Sequence, residues 1–514
     1  MTSSQTQAPG IREVAVVGLG IMGAGLAEVL ARSGRSVVAI EANHDALARG
    51  LAALHASLDK AVARGRLALA DKEKIVARVR AADSIAAGVA DADLVIEAVP
   101  ERMDLKLAVF GELDRACRPG TILATNTSSL SVTALAAGTR HPDRVAGLHF
   151  FNPVPVMKLV EVVSTVLTAP STGEALAGLV HSLGKTPVQV SDRAGFVVNP
   201  LLLGYLNHAV RLLETGHATR EDIDKAATSG VGLPMGPLAL LDLIGLDTSL
   251  LVLEALQAEF GGSRFAPAPL LRRLAEAGLT GRKSGCGFYP YQQNSVHAAA
   301  AGEPVPDAAA QPPAAVTLIE NGAVAPAADL AGALTAAGID VVRPPAAEAG
   351  LVLVAADPAH RVLDAAVASG RPADAVGIHL IGPEAGKPAL AELIITYLTA
   401  ARATAAAAAL AARLGLDAVT TRDRPGFLAA AITYPHLNDA ARMVQDGYAT
   451  AADIDTAMML GCGYPRGPLE MLDHIGPAVV FGVLSAMYAS SADPAFAPVP
   501  LLAEHAAAGT RFRG

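Results

Sequence analysis

Cysteine is scarce in this sequence, with Cys117, Cys286 and Cys462 the three present among 514 residues. They are too few and too scattered for a disulfide framework or a zinc site, so we expect no bound metal and a reducing, cytoplasmic location. Charge is also sparse, at 17% of residues, and the net charge is −9. Because no basic tract is interleaved with aromatic residues, we expect no nucleic acid partner.

Long apolar runs are missing as well. The first ten residues are polar and lack the apolar region of a secretory signal. The longest uncharged stretch, 475–492, is interrupted by Gly476, Pro477 and Gly482, and it is marginal for the ~20 residues that a membrane-spanning helix needs. We interpret it as a buried helix of a soluble protein and expect no membrane partner.

Strand and helix patterns alternate through the first 190 residues, which predicts a parallel sheet with helices on both faces. Short β-branched runs predict strands at 13–17, 36–40, 94–96, 121–125, 145–151 and 159–163. The chain between the second and third strands is far longer than a crossover needs. Helical periodicity at 46–66 and 71–80 predicts that residues 44–80 form a projecting helical arm on a domain of residues 1–190.

An internal repeat organises the rest of the chain, whose length calls for three or four domains at ~100–200 residues each. Residues 191–292 have a helix–turn–helix pattern, and 293–313 form a linker rich in Ala, Pro and Gly. Segments 193–196, 221–224 and 234–238 recur at an offset of 231, as 424–427, 452–455 and 465–469. We therefore predict a shortened copy of the first domain at 314–420 and a second helical domain at 421–514.

Gly18, Gly20 and Gly23 form a G-x-G-x-x-G motif between the first strand and a helix. Such glycines allow a tight turn and the approach of a pyrophosphate to the helix N-terminus. Glu41 follows the next strand, 23 residues after Gly18. A carboxylate at this position accepts hydrogen bonds from the adenosine ribose hydroxyls and therefore favours NAD over NADP. Arg35 could soften that preference. The domain is therefore predicted to be a Rossmann-type NAD-binding domain. The expected cofactor contacts here are Gly18, Gly20, Ile21, Met22, Gly23 and Glu41.

The second copy has lost this loop, since Glu320, Gly322 and Ala325 stand at the positions of the three glycines. A carboxylate at that place repels a pyrophosphate. We therefore predict that 314–420 is a degenerate Rossmann-like domain that binds no dinucleotide.

His149 and Glu161 lie on two predicted strands separated by a proline-bounded turn. A carboxylate beside an imidazole fixes its tautomer and stabilises its protonated form, which suits a general base. A histidine alone in an apolar strand is more often a core residue.

These motifs together resemble the L-3-hydroxyacyl-CoA dehydrogenase family. The matching segments are the loop at Gly18, 126–130, 149–157, 195–199, Gly236 with Pro237, and 283–289, in family order over 13–291. The doubled helical region, with no hydratase half upstream, resembles the long bacterial members of phenylacetate degradation. Those members oxidise 3-hydroxyadipyl-CoA to 3-oxoadipyl-CoA.

The resemblance implies a role for each matching residue. His149 would take the proton of the substrate C3 hydroxyl as hydride leaves C3 for the nicotinamide, and Glu161 would orient it. Ser128 would bond the reacting oxygen, and Asn199 would hold His149 and the substrate. Expected at the cofactor are also Glu101 and Asn126.

Several of these residues have structural alternatives. Ser128 and Asn126 could simply satisfy a turn after a strand. Asn199 could cap a helix, and Glu161 could pair with Arg193 instead of with the histidine.

In the family the projecting arm binds CoA, whose phosphates need a basic patch. Lys60 and Arg64 share a helix face at i, i+4 spacing, with Ser57 one turn earlier. A solvated charged face is the alternative for each of them.

His379 and Glu392 repeat the first pair, but at a spacing of 13 instead of 12, and Ala430 stands at the position of Asn199. We interpret this second pair as a remnant without catalytic function. The second helical domain would then cover the first, shape the acyl tunnel or add surface for a homodimer.

The sequence thus predicts an NAD-dependent 3-hydroxyacyl-CoA dehydrogenase with an acyl-CoA substrate and one site, between the nucleotide domain and the first helical domain. A preference for 3-hydroxybutyryl-CoA or general short chains is one alternative. The β-hydroxyacid dehydrogenases, which use a catalytic lysine, are another. A non-enzymatic, crystallin-like NAD-binding protein is the alternative from a different class.

Overall fold

The computed structural model describes residues 10–291, 311–321, 326–343, 350–382 and 389–514. They divide into two compact units. The first unit contains the described residues up to Pro200 together with Met443–Gly463, and the second contains those of Leu201–Arg442 and Tyr464–Gly514. Most of the predicted linker 293–313, and also Gly322 and Ala325, lie outside the described residues.

An eight-stranded sheet forms the centre of the first unit, in the order β3-β2-β1-β4-β5-β6-β7-β8. Its strands are β1 (Glu13–Val17), β2 (Ser36–Ile40), β3 (Val79–Ala82), β4 (Leu94–Glu97), β5 (Ile122–Thr125), β6 (Val145–Phe150), β7 (Leu159–Ser164) and β8 (Thr186–Ser191). Neighbouring strands are parallel except β6 and β7, which are antiparallel. The central strands are almost wholly buried, as expected for strands covered on both faces.

All six predicted strands are present, and β3 and β8 were missed. The prediction of helix through residue 80 is wrong at its end, because Val79 pairs with Val37 in the sheet. Both missed strands lie at the sheet edges, where one contains Pro187 and neither has a continuous apolar pattern. The parallel arrangement predicted from alternating strands and helices does not extend to β6 and β7, which are antiparallel, because the short turn between them cannot make a parallel crossover.

The helices of this unit cover the sheet, and two of them lie in the segment 44–80 that was predicted as an arm. They are α1 (Ile21–Arg32), α2 (His44–Ala63), α3 (Leu69–Ala77), α4 (Ile85–Val89), α5 (Met103–Ala116), α6 (Val132–Ala137) and α7 (Pro170–Ser182). The arm consists of α2 and α3. Asn43 caps α2 by accepting from the Ala46 N–H at 2.9 Å, and Leu54 and Leu58 bury its inner face.

A helical region follows the first sheet in the chain. Its helices are α8 (Val198–Glu214), α9 (Arg220–Lys225), α10 (Pro237–Ile244), α11 (Leu246–Phe260) and α12 (Pro269–Glu276). Thr219 caps α9, as its sequence predicts, by accepting from the Asp222 N–H at 3.1 Å.

A six-stranded sheet lies in the second unit, in the order β10-β9-β11-β12-β13-β14. Its strands are β9 (Ala315–Asn321), β10 (Asp340–Val342), β11 (Leu351–Ala356), β12 (Ala375–Ile381), β13 (Leu390–Ile395) and β14 (Asp417–Arg422), with helices α13 (Pro326–Ala336), α14 (Val362–Ala368) and α15 (Ala401–Arg413). The pair β12 and β13 is antiparallel, like β6 and β7. One strand separates β9 from β12, where two separate β1 from β6, so this sheet is the shorter one.

The last helices follow the order of the earlier helical region. They are α16 (Ala429–Gln445), α17 (Ala451–Cys462), α18 (Pro468–Ile475), α19 (Pro477–Ser491) and α20 (Pro500–Ala508). Thr450 caps α17 by accepting from the Asp453 N–H at 3.1 Å. These two residues lie 231 positions after Thr219 and Asp222, the cap and its N–H donor in α9.

The two helical regions exchange a helix between the compact units. In the first unit α17 packs on β7 and β8, and the Ser191 N–H donates to the Tyr448 carbonyl at 2.9 Å. In the second unit α9 packs on β14, and the Arg422 N–H donates to the His217 carbonyl at 3.1 Å. Both residues of one bond lie 231 positions from residues of the other, so each sheet is completed by a helix from the other half of the sequence.

No single helix among the described residues is long and apolar enough to cross a bilayer, although α18 and α19, bent by 93° at their junction, pass together on length and composition. The buried helix predicted at 475–492 corresponds to α19. It is buried on one side only, through Val480, Val483, Leu484 and Met487, whereas Val479 is 51% exposed.

Candidate active site

The glycine-rich loop connects β1 to α1 in the first unit. Gly18 has φ +91°, and a Cβ there would lie 2.7 Å from the Ala98 backbone. A Cβ on Gly23 would lie 1.8 Å from the Gly18 carbonyl oxygen. A Cβ on Gly20 would meet nothing within 4 Å, so the space at the N-terminus of α1 is open. These features fit the pyrophosphate of NAD, because the backbone N–H groups of a helix N-terminus attract an anion. Ile21, beside Gly20, is 78% exposed.

Glu41 follows β2 and contacts this loop directly. Its Oε2 accepts from the Leu19 N–H and its Oε1 from the Ala42 N–H, both at 2.7 Å. The carboxylate therefore lies beside the glycine-rich turn, where an adenosine ribose would bind. Arg35 donates instead to a backbone carbonyl and to two serine hydroxyls, including Ser182 Oγ at 2.6 Å, so its donors are engaged in packing.

His149 and Glu161 face each other across the antiparallel pair β6 and β7. His149 Nδ1 lies 2.7 Å from Glu161 Oε2, and the carboxylate is fully buried. The other oxygen, Oε1, accepts from the N–H groups of Val197 and Val198 at 3.1 and 3.2 Å. The alternative pairing of Glu161 with Arg193 is not observed, because Arg193 lies over a tyrosine ring.

This contact determines what the imidazole can do. A carboxylate accepts only, so Nδ1 carries the proton and Nε2 is left as an acceptor in the neutral ring. Phe151 and Phe196 confine the ring, with centroids at 4.6 and 5.5 Å. Phe196 adopts φ +56°, a left-handed conformation that costs about 1–2 kcal/mol. The backbone is therefore strained at Phe196, the residue whose ring lies beside His149.

Glu101 organises the loop that contains Ser128. Its Oε1 accepts from Thr127 Oγ1 at 2.6 Å and from the N–H groups of Ser128 and Ser129 at 3.0 and 3.1 Å. Burial raises the pKa of Glu101, but the Thr127 hydrogen bond and the charge of Lys106 outweigh it and lower the pKa below its ordinary value. Glu101 is therefore ionised and fixes this loop.

A buried ion pair behind the loop was missed by the sequence analysis. Lys106 Nζ lies 2.7 Å from Glu97 Oε1 and 3.4 Å from Glu101 Oε2, and Lys106 is 1% exposed. The second Glu97 oxygen accepts from Thr125 Oγ1 at 2.7 Å. A lysine in the middle of an otherwise ordinary amphipathic helix gives no signal that it is buried, so this pair becomes visible only in the fold.

The two asparagines differ in their surroundings. Asn126 Oδ1 accepts from the Phe150 N–H at 2.9 Å, so it ties the loop after β5 to β6 beside His149, as the turn alternative held. Asn199 lies inside the first turn of α8, which begins at Val198, and not at the position that caps it. Within the described residues the half-buried Asn199 side chain has no hydrogen-bond partner, so its amide is available.

The expected CoA contacts lie at the end of α2. Lys60 is in its last turn and Arg64 directly follows it. Both are exposed and Ser57 is half-buried. Neither cation forms an ion pair within the parts of the chain that the structure describes.

The second histidine–glutamate pair has the geometry of the first. His379 Nδ1 lies 2.6 Å from Glu392 Oε2, across β12 and β13. Glu392 Oε1 accepts from the N–H groups of Leu428 and Ala429 at 3.0 and 2.7 Å. The spacing of 13 instead of 12 does not alter this geometry, because His379 is paired with Glu392 across its two strands as His149 is with Glu161.

A Rossmann-type sheet with this loop and acid, followed by a histidine–carboxylate pair, defines an NAD-dependent dehydrogenase. The family model "3-hydroxyacyl-CoA dehydrogenase, NAD binding domain" matches residues 13–193, and the one for the C-terminal domain matches 195–291 and 426–513. The chain therefore belongs to the 3-hydroxyacyl-CoA dehydrogenase family. It is an NAD-dependent oxidoreductase, which excludes the lysine-dependent and non-enzymatic alternatives.

Individual relatives agree with this assignment. The chain is 35% identical to the 3-hydroxyadipyl-CoA dehydrogenase of Escherichia coli K12, over 96% of this chain and 98% of the relative. It is 44% identical to the 3-hydroxybutyryl-CoA dehydrogenase of Clostridioides difficile, over 55% of this chain and 100% of the relative. The crystal structure of an E. coli K12 3-hydroxybutyryl-CoA dehydrogenase matches with a TM-score of 0.81 and 33% identity, over 97% of this chain and 99% of that one.

Proposed function

We propose that the enzyme oxidises 3-hydroxyadipyl-CoA to 3-oxoadipyl-CoA, as a step of phenylacetate degradation, with His149 as the general base. The single observation that supports this base is its 2.7 Å contact with the buried Glu161. Bound NAD would supply the acceptor for the hydride that leaves C3. His149 Nε2 would take the hydroxyl proton, so that the C3–O bond becomes a carbonyl and charge is balanced.

Glu161 would stabilise the imidazolium that forms. Its second oxygen already has two backbone donors, so the carboxylate is held in place and need not rearrange. Ser128 and Asn199 would donate to the oxygens of the substrate. Glu101 and Asn126 would support these donors and the cofactor by holding the loop after β5.

The cofactor would bind on the glycine-rich loop. The residues proposed to contact it there are Gly18, Gly20, Ile21, Met22, Gly23 and Glu41. Glu41 would favour NAD because its carboxylate repels a 2′-phosphate. Lys60 and Arg64, together with Ser57, would meet the phosphates of acyl-CoA, since both cations are exposed and free of carboxylate partners within the described residues.

The 3-hydroxyadipyl-CoA assignment is supported by the relative of that name, which matches over nearly the whole chain. Short-chain substrates remain the second candidate, because relatives named for 3-hydroxybutyryl-CoA reach 44% identity over the first part of the chain. Initial rates on 3-oxoadipyl-CoA and acetoacetyl-CoA, with NADH absorbance at 340 nm, distinguish the two. We expect the higher kcat/KM on 3-oxoadipyl-CoA, and the reverse order would contradict the assignment.

A His149→Gln variant tests the base. We expect a loss of nearly all turnover with unchanged NADH affinity, because the glutamine side chain cannot take the proton. His181→Gln, on the exposed face of α7, is the matched control and should keep wild-type turnover. Retained activity in His149→Gln would refute the assignment.

The organisation of the chain is also proposed to follow the sequence. Residues 1–190, 191–292, 314–420 and 421–514 would be an NAD-binding domain, a helical domain, a degenerate Rossmann-like domain and a second helical copy. The three free cysteines support a cytoplasmic location. A homodimer remains an expectation, which sedimentation of the whole chain would test.

A further inference from the structure

A cavity of about 260 Å³ opens beside the second histidine–glutamate pair, inside the second unit. Five polar side chains line it: His379, Thr433, Tyr434, Arg466 and His474. The remaining walls are apolar and come from β12, α16, α18 and the turn after α9. Its volume is close to the ~300 Å³ at which small-molecule sites begin. This is room for a small ligand and not for a dinucleotide.

The second sheet offers nothing that would hold a dinucleotide in the described residues. Glu320, at the position of Gly18, is the second-to-last residue of β9 and is paired with Arg343 at 2.9 Å. Ala430 replaces the amide of Asn199. The carboxylate of Glu320 disfavours a pyrophosphate at this position, and no side-chain amide stands at position 430.

Thr433 contributes an unpaired hydroxyl group to the wall of the cavity. It lines the cavity and is 4% exposed, and its Oγ1 has no hydrogen-bond partner. Leaving a buried hydroxyl unpaired costs ~1–3 kcal/mol. A ligand oxygen in the cavity would remove that cost.

The charges around the cavity select the kind of ligand. His379 Nδ1 is occupied by Glu392, so its Nε2 is the nitrogen left for a ligand. Arg466, whose Nε lies 3.5 Å from Glu470 Oε1, adds one cation, and His474 adds one further imidazole. No carboxylate is among the described residues that line the cavity, since Glu392 is fully buried beneath the histidine.

We propose that this cavity binds a short aliphatic carboxylate at a second, non-catalytic site of the enzyme. The hydroxyl of Thr433 and the guanidinium of Arg466 donate to the anionic head, and the imidazole of His379 lies against it. The apolar walls, including Met471 and Ile475, hold the alkyl chain. The proposal does not depend on the assignment of His149 as base or on the preferred acyl-CoA.

Calorimetric titration of the full-length enzyme with sodium hexanoate tests the site. We expect one saturable site per chain. Thr433→Val, which keeps the shape of the side chain, should weaken binding about tenfold, the effect of losing one hydrogen bond to a charged group of ~1.5 kcal/mol. His379→Gln should weaken it at least as much. His149→Gln, the matched change in the first unit, should bind hexanoate like the wild type.

Three results would overturn the proposal: no saturable hexanoate binding, binding that His149→Gln removes, or binding that Thr433→Val and His379→Gln both leave unchanged. Hexanoyl-CoA is titrated in parallel to distinguish the source of the acyl group. Binding of hexanoyl-CoA that depends on His379, with none of hexanoate, would overturn the free carboxylate in favour of the thioester. Circular dichroism of each variant establishes that it is folded. The outcome is separate from the catalytic assignment, which is decided by turnover of His149→Gln.

Discussion

Replacing Glu161 by glutamine changes one buried oxygen into an amide nitrogen. In the structure one carboxylate oxygen accepts from His149 Nδ1 and the other from two backbone N–H groups, of Val197 and Val198. Glutamine has a single oxygen, so it cannot accept on both sides. If that oxygen faces the backbone donors, the amide N–H₂ faces Nδ1, and the imidazole must carry its proton on Nε2. The ring is then in the tautomer that cannot take a proton from substrate.

Two magnitudes follow from this geometry. Trapping a catalytic histidine in the wrong tautomer lowers kcat by about 10⁴ in a serine protease, so we expect a decrease of about 10³–10⁴ here. Each hydrogen bond to a charged group is worth ~1.5–3 kcal/mol, so the free energy of unfolding should fall by a similar amount. NADH binding should not change, because Glu161 does not contact the glycine-rich loop.

The assay is NADH oxidation at 340 nm with acetoacetyl-CoA, combined with urea unfolding. Glu392→Gln is the matched stability control, because Glu392 makes the same buried contacts in the second unit. Glu174→Gln, on the exposed face of α7, is the activity control and should turn over like the wild type. A kcat within tenfold of wild type for folded Glu161→Gln would refute the role of the carboxylate.

Three further predictions concern the cofactor loop and the core. Gly23→Ala should weaken NADH binding at least tenfold in a fluorescence titration, since its Cβ would lie 1.8 Å from the Gly18 oxygen; unchanged affinity would contradict the packing argument. Lys106→Met should lower the free energy of unfolding by ~3–5 kcal/mol in urea, because it leaves the buried Glu97 carboxylate without its cation; an unchanged free energy of unfolding would contradict the role of this ion pair. Burial raises the pKa of Asp114, but hydrogen bonds from Arg140 outweigh it and lower the pKa from 3.8 to about 2. The stabilisation is therefore present above about pH 4 and lost as the pH falls toward 2, and Arg140→Met should show less of that acid dependence.

The strands and the loop at the centre of the first sheet were predictable, because their signals are local. An apolar β-branched run followed by a glycine-rich turn and a helix is typical of a buried parallel strand. Both β1 and β2 have the predicted bounds. The apolar pattern is weaker in edge strands, since one side of such a strand has no neighbouring strand and part of it is exposed to solvent. In the sequence, Val79 continues a helical pattern, whereas in the fold it pairs with Val37 in the sheet.

The residues of the site also differ in whether their signal in the sequence is local. His149 and Glu161 were predicted together because two strands and a short turn join them. The likeness of His379 and Glu392 was underrated because spacing along the chain counts connecting residues, whereas geometry depends on strand register. Lys106 could not be predicted, because a buried ion pair depends on which helix covers which strand.

The exchange of α9 and α17 has a consequence for how this gene can change. A stop codon in the segment between the halves would remove the helix that packs on β7 and β8, and with it the backbone bond to Ser191. The first half would keep every residue proposed to take part in the reaction, but it would lose the helix that covers β7 and β8. Substitutions in the second half that leave α17 in place would therefore keep this contact, whereas deletion of that half would remove it.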